Sequence, residues 1–232
     1  MSVLGVLPLV DLAIHADTGW ERESTYAFAA EWGPWLADHG LRVITVSSKI
    51  SGVNLKSQKG VFIPAYTLST NGVGAPGRGI LYRQCTQRWK IAPIRRYLRE
   101  HYKGEQIELQ LGITLDEIHR VTTSNVSYIE NQYPFVTMTP PMRRGGCIQW
   151  LRDQGLQVPV SSSCVFCPSH SRAVWREIRN NPADWSRAVE IDHWVRHKRP
   201  TYLCYLTPER RDIQSCDFRS QEDLGQLRLH DM

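Results

Sequence analysis

No stretch of this 232-residue chain approaches twenty consecutive apolar residues, so a helix spanning a membrane is excluded. Residues 3–10 (VLGVLPLV) are apolar. However, no positive region precedes them, Asp11 follows, and no small-residue cleavage site appears, so the expectation is no signal peptide and a cytoplasmic protein with no membrane partner. Internal repeats and low-complexity tracts are absent, which removes solenoids and compositionally biased tails. The low-hydrophobicity, high-charge balance of a disordered chain is missing too: 41% of residues are hydrophobic and only 22% charged.

The charge excess is small, 28 basic against 23 acidic residues. A net charge of +5 permits an anionic partner such as a nucleotide, tRNA or DNA but does not require one. The chain has six cysteines. A chain long enough to bury its own core has no need of disulfide staples, and closely spaced cysteines without a secretory signal read as metal ligands or redox groups.

The first half reads as α/β. Residues 10–16 form an apolar strand, Asp17-Thr18-Gly19 a turn, and a helix starts near residue 22. Gly33-Pro34 kinks or interrupts that helix, Gly40 ends it, and residues 41–47 form a second strand. Strand, helix and strand in forty residues make a βαβ unit, hence a parallel sheet. Residues 49–80, rich in Gly, Ser and Lys, read as a mobile surface loop around a short strand at 61–66. Residues 93–103 form a helix with Pro93 in its first turn and Arg95, Arg96, Arg99 and Lys103 on its basic side. Residues 106–112 alternate like a strand, and Thr114 caps a short helix ending at Arg120. Beyond residue 135 helices dominate, near 142–154, 171–180 and 183–197, before a strand at 201–206. The expected division is therefore an α/β nucleotide-binding-like part over 1–134, a helical metal- or cluster-binding part over 135–206, and a polar tail over 207–232.

Three features carry chemistry. Cys164 and Cys167 form a C-x2-C pair, a spacing that lets both thiolates meet one metal from a single turn, and Pro168 stops the backbone from continuing as helix. Sixteen residues separate Cys147 from Cys164 and sixty-one separate Cys85 from Cys147. The four together match the count a 4Fe–4S cluster or a structural zinc needs; alternatively Cys85 and Cys147 are simply buried apolar residues. Cys204 and Cys216 read as core or incidental. The second feature is the run Asp17-Thr18-Gly19-Trp20-Glu21 at the carboxyl end of the first strand, where open α/β sheets bind ligands; the same residues also make a good turn and helix cap. The third is the basic stretch with Arg78, Arg83, Arg88 and Lys90 around Cys85, suited to phosphate or sulfate and to holding a thiolate, or else a solvated loop.

The strings ADTGWE, RQCTQRWKIAPI, LGITLDEIHR, and GCIQW followed by SSSCVFCPSH, collinear over residues 8–206, resemble the phosphoadenosine phosphosulfate reductase-like branch of the adenine nucleotide alpha-hydrolase superfamily. The resemblance implies a Rossmann-like parallel sheet of the PP-loop ATP pyrophosphatase type, with ATP or another adenine nucleotide as substrate, and sulfur chemistry. It also implies a 4Fe–4S cluster on Cys85, Cys147, Cys164 and Cys167, with zinc as the alternative. Asp17, Thr18, Gly19 and Glu21, with Arg78, Arg83 and Lys90, would face nucleotide or substrate. Asp116, Glu117 and Arg120 match the family's G-I-x-x-D-E-x-x-R helix start and would do the same.

Two family features have no counterpart. One is the opening strand with its S-G-G-K-D-S phosphate loop; residues 1–9 resemble the end of the helix that follows it, and glycine-rich residues 74–79 neither follow a strand nor open a helix. A start placed downstream of that loop is the expectation, the alternative being a remnant with changed function, and activity of the chain alone would need the missing cradle supplied. The other is the C-terminal E-C-G-I/L-H nucleophile motif of the assimilatory reductases, absent from the tail. Adenylylation of a substrate followed by sulfur transfer therefore fits better than reduction of phosphoadenylyl sulfate. DNA or tRNA is the expected class of acceptor, and a sulfur-donor or electron-donor protein a further expected partner. The competing readings are a metal-stapled nucleic-acid or protein interaction module without catalysis, and a plain α/β domain with buried thiols.

Overall fold

The protein was analysed as a computed structural model, which describes residues 1–48, 55–56, 60–69, 77–220 and 223. Strand β1 (Ala13–Asp17) leads into helix α1 (Glu23–Asp38) and then β2 (Val43–Ser47). β1 and β2 pair in parallel, Ala13 opposite Val43 through Asp17 opposite Ser47, so the expected βαβ unit is present. Helix α1 runs on through Pro34, so of the expected kink or interruption, the interruption does not occur. The carbonyl deprived of its donor belongs to Ala30, which is exposed and open to water. Gly40 ends the helix as expected. At φ 78° it is left-handed, its N–H donates to Ala37 O, and Leu41 N–H reaches back to Leu36 O.

Residues 60–80 depart most from expectation. Val61, Ile63 and Ala65 are buried, as is Leu55, so this stretch enters the core. Strands β3 (Tyr66–Ser69) and β4 (Arg78–Ile80) follow; residues 49–54, 57–59 and 70–76 of the expected loop lie outside the described residues. β3 pairs antiparallel with both β4 and β7 (Tyr202–Tyr205), giving the order β4-β3-β7. The Gly, Ser and Lys content around this stretch obscured its alternating apolar positions.

A turn of π-helix, Thr86–Ile91, runs into α2 (Ala92–His101). Strand β5 (Ile107–Gln110) pairs in parallel with β6 (Ile129–Gln132). Between them lies a short helix, Leu115–Arg120, of 3-10 type, with extended Thr114 before it. The Thr114 hydroxyl donates to the Asp116 carboxylate rather than accepting a backbone N–H, so it is not the side-chain cap expected. Four helices follow: α3 (Pro134–Thr137), α4 (Arg144–Asp153), α5 (Arg172–Asn180) and α6 (Pro182–Arg196). Ser171 and Asn181 cap the last two by accepting from Val174 N–H and Asp184 N–H.

Among the described residues the molecule is thus α/β, with two parallel strand pairs and one antiparallel three-stranded sheet. Its main core draws on both sides of residue 135: Trp20, Leu55, Ile63 and Trp89 pack with Val165, Phe166, Trp175, Ile191 and Leu206. The expected polar tail contributes Ile213, Cys216 and Phe218 to that core; within it, residues 221–222 and 224–232 lie outside the described residues. Cys204 is buried as well. No helix among the described residues is long and apolar enough to cross a membrane.

Candidate functional site at the carboxyl end of the first strand

The turn after β1 is fixed from several directions. The Asp17 carboxylate accepts the Gly19 N–H at 2.7 Å and the Tyr26 hydroxyl at 2.9 Å. Burial and the neighbouring Asp17 carboxylate push Tyr26 up to about 12. Gly19 sits at φ 73°, a conformation that favours glycine. From α6, Arg187 donates to Gly19 O (2.8 Å) and Glu21 O (3.0 Å). Its guanidinium also lies over the Trp20 ring.

Inside the turn, buried Thr18 donates to Glu21 Oε1 at 3.2 Å, and its Oγ1 also lies 3.2 Å from Cys164 Sγ. A hydroxyl has one proton. With that proton on the carboxylate, the Cys164 S–H is the donor toward Thr18. This agrees with burial, reinforced by the Glu21 charge, pushing the Cys164 thiol up to about 12. The backbone makes the same junction, since Glu21 and Cys164 pair as an antiparallel bridge and Val165 N–H donates to Trp20 O at 2.8 Å. Beneath them Phe166 meets the edges of Trp20 and Trp89.

The C-x2-C segment forms a tight turn. Cys167 N–H donates to Cys164 O at 3.0 Å. The same carbonyl lies 2.9 Å from His170 Nε2, which therefore carries the imidazole proton. Burial pushes the His170 imidazolium down to about 4. Cys85, at the start of the π-helical turn, packs against the main core as Cys164 does; burial raises its thiol first, the Cys167 charge raises it further, and Arg83 acts in the opposite sense. One turn on, Lys90 Nζ lies 3.5 Å from Glu21 Oε1.

Of the residues expected from the sequence, Thr18, Glu21, Lys90 and Cys164 therefore meet, with Cys167 on the same turn as Cys164 and with Asp17 and Gly19 shaping the surround. Arg78 lies exposed in β4, opposite Leu68. Asp116, Glu117 and Cys147 line a different feature, a cavity of about 320 Å³ with walls from Gly112, Phe135 and Ile148. Arg120 pairs with Glu117 at 2.6 Å. The Arg144 N–H bond, first, and the Arg143 guanidinium hold the Asp116 carboxyl below the usual carboxylate range. Burial and the Asp116 charge raise the Cys147 thiol.

Of the four thiols expected to hold a cluster, Cys147 lines that cavity and Cys164 meets the β1 turn. Among the described residues, no group of three or more His, Cys, Asp or Glu side chains is arranged to hold a metal ion as they stand. Four-cysteine ligation does not fit this arrangement.

Sequence reasoning missed Arg187 and His170. The first sits 168 positions from the carbonyl it grips and gives no local signal. The second stands three residues after Cys167, inside the recognised string, where its contact with the Cys164 carbonyl depends on the turn. No family model matches the chain, and neither a curated protein nor a solved structure does.

Proposed function

We propose that this chain is a phosphoadenosine phosphosulfate reductase-like, ATP-pyrophosphatase-like protein that binds an adenine nucleotide and acts in sulfur transfer to an adenylylated substrate. One observation carries the reading: the Asp17–Glu21 turn, where an open α/β sheet presents its ligand, touches the C-x2-C pair directly, with Thr18 Oγ1 3.2 Å from Cys164 Sγ. A nucleotide turn and a thiol cluster built on one contact serve a reaction that joins nucleotide activation to sulfur. The parallel β1-α1-β2 unit supports the Rossmann-like part of the reading.

In the proposed reaction an acceptor oxygen attacks the α-phosphorus of ATP and pyrophosphate leaves. A sulfide-level donor then forms a carbon–sulfur bond at the acceptor, and the carbon–oxygen bond breaks with AMP as leaving group. No external oxidant or reductant is needed. Arg83 and Lys90 supply cationic groups for phosphate on the thiol side, and Tyr26 and Arg187 hold the turn so that its geometry does not change during the reaction. The net charge of +5 accommodates DNA or tRNA as acceptor.

The test is equilibrium dialysis of the full chain against ATP and GTP. The reading expects ATP to bind, GTP to bind at least tenfold more weakly, and Gly19→Val to lose ATP while keeping the wild-type circular dichroism spectrum. A folded protein that takes up no adenine nucleotide contradicts it.

A further inference from the structure

Positive charge is concentrated in one stretch of this chain. Residues 78–103 hold eight Lys and Arg and a single acidic residue, Glu100, so this stretch alone exceeds the net +5 of the whole chain. At its start stand the two most exposed large apolar side chains among the described residues, Tyr82 at 83% and Ile80 at 60%. The fold explains why both point outward. Leu81 N–H donates to Ala65 O at 2.8 Å, and the Leu81 side chain packs against the main core. Side chains alternate along extended backbone, so Ile80 and Tyr82 take the opposite face, in line with exposed Arg78.

That face is held in place from behind. Arg210 donates to Gly79 O (3.2 Å) and Thr67 O (2.9 Å), which clamps β4 to β3. The Arg78 guanidinium has no hydrogen-bond or ion-pair partner among the described residues. Arg83 carries the positive charge on toward Cys85, on whose thiol it acts. Gly77 O and Leu81 N–H bond to β3, so only Arg78 and Ile80 turn backbone groups to the open edge of β4. Two residues offer too few main-chain bonds to add a peptide strand. The side-chain face is better suited to unpaired nucleotides, with a ring open for a base and a free guanidinium on the same row for phosphate.

We propose that the outer face of β4 and its extension, Arg78, Ile80 and Tyr82, binds single-stranded nucleic acid, with a base stacked on Tyr82, the sugar against Ile80 and a backbone phosphate on Arg78. From Arg78 to Tyr82 the extended chain spans about 13 Å, the length of roughly four stacked nucleotides. Stacking is tolerant of base identity, so this face selects unpaired strand over duplex rather than one sequence over another. The remaining cations of residues 78–103 add long-range attraction. The inference rests on the proposed function only in giving its acceptor a surface; binding there needs neither ATP nor the cysteines.

The probes are end-labelled oligo(dT) and oligo(U) of about twelve nucleotides, read by fluorescence anisotropy as the full chain is added without ATP. At least one of the two should bind, about tenfold or more tightly than a duplex of equal length, and the tighter one identifies the acceptor's sugar. Tyr82→Ala should weaken binding about tenfold or more, and Tyr82→Phe should stay within about twofold of wild type, because stacking uses the ring and not the hydroxyl. Arg78→Gln should make the logarithmic salt dependence shallower by about 0.7, the loss of one phosphate contact on a single strand. Both side chains are exposed, so the variants keep the fold, which circular dichroism checks. Failure of both strands to bind, equal affinity for duplex, or a Tyr82→Ala variant that binds like wild type overturns the proposal. So does a Tyr82→Phe variant as weak as Tyr82→Ala, or displacement of the strand by poly(glutamate) at matched charge, which would mark the face as a site for acidic protein. ATP uptake without oligonucleotide binding overturns this inference and leaves the adenine-nucleotide reading standing; Tyr82-dependent oligonucleotide binding without ATP uptake does the reverse.

Discussion

His170 carries a pH dependence whose sign follows from its surroundings. Its neutral ring donates to the Cys164 carbonyl and packs against the edge of Trp175. The folded group takes a proton only near pH 4, whereas the unfolded one does so near 6.5. The unfolded chain therefore binds the extra proton between those values. Stability from this residue is complete above pH 6.5 and is lost as pH falls toward 4, by roughly 3 kcal/mol. Urea unfolding of wild type and His170→Gln at pH 7 and pH 4.5 checks this: the acid-induced drop in stability should be smaller in the variant. Thr18 is the second residue to test. Thr18→Val keeps the shape but removes the donor to buried Glu21 and the acceptor beside Cys164. A loss of about 1–3 kcal/mol in denaturant unfolding is expected; a change below 0.5 kcal/mol would mean the hydroxyl holds nothing together. The Thr18–Cys164 contact was not legible in the sequence, because the two stand 146 positions apart and only the family resemblance suggested that the two strings cooperate.

At the scale of elements, local signals read well and long-range ones poorly. Asn181-Pro182 marks the boundary of α5 and α6 because capping and the proline ring act within one turn. The βαβ unit was legible because an apolar strand, an alanine-rich helix and a second strand follow one another closely. The β3–β7 pairing joins Thr67 to Cys204, and nothing local in a Gly-, Ser- and Lys-rich neighbourhood announces it. Ile63 tests the correction directly: it is wholly buried, so Ile63→Ala should cost about 2–5 kcal/mol, whereas an exposed loop residue would cost almost nothing. The anchor of α4 makes a second prediction. Asp116→Asn weakens the charge-assisted bond to the Arg144 N–H, so hydrogen exchange of the amides from Arg144 to Cys147 should accelerate several-fold while the β1–β2 amides are unchanged. Equal exchange in both proteins would show that α4 is held by other contacts.

For the whole molecule, the core and the candidate site share one framework. Trp20, Trp89 and Phe166 form the floor on which the β1 turn, the Cys85 segment and the C-x2-C turn converge. Elements from both halves of the chain are therefore needed before the C-x2-C thiols meet the turn. Residue types and spacing singled out the candidate residues. They did not reveal that Cys147 stands apart, since that depends on the Asp116 anchor 31 positions upstream in the chain. Whether the turn after β1 and its neighbouring thiols form one site is measured most directly by cysteine alkylation of the reduced, metal-free chain with and without saturating ATP. Mass spectrometry of each cysteine should show ATP slowing modification of Cys85 and Cys167 at least tenfold while leaving Cys147 unchanged. Unaltered rates at Cys85 and Cys167, or protection confined to Cys147, would contradict a single site.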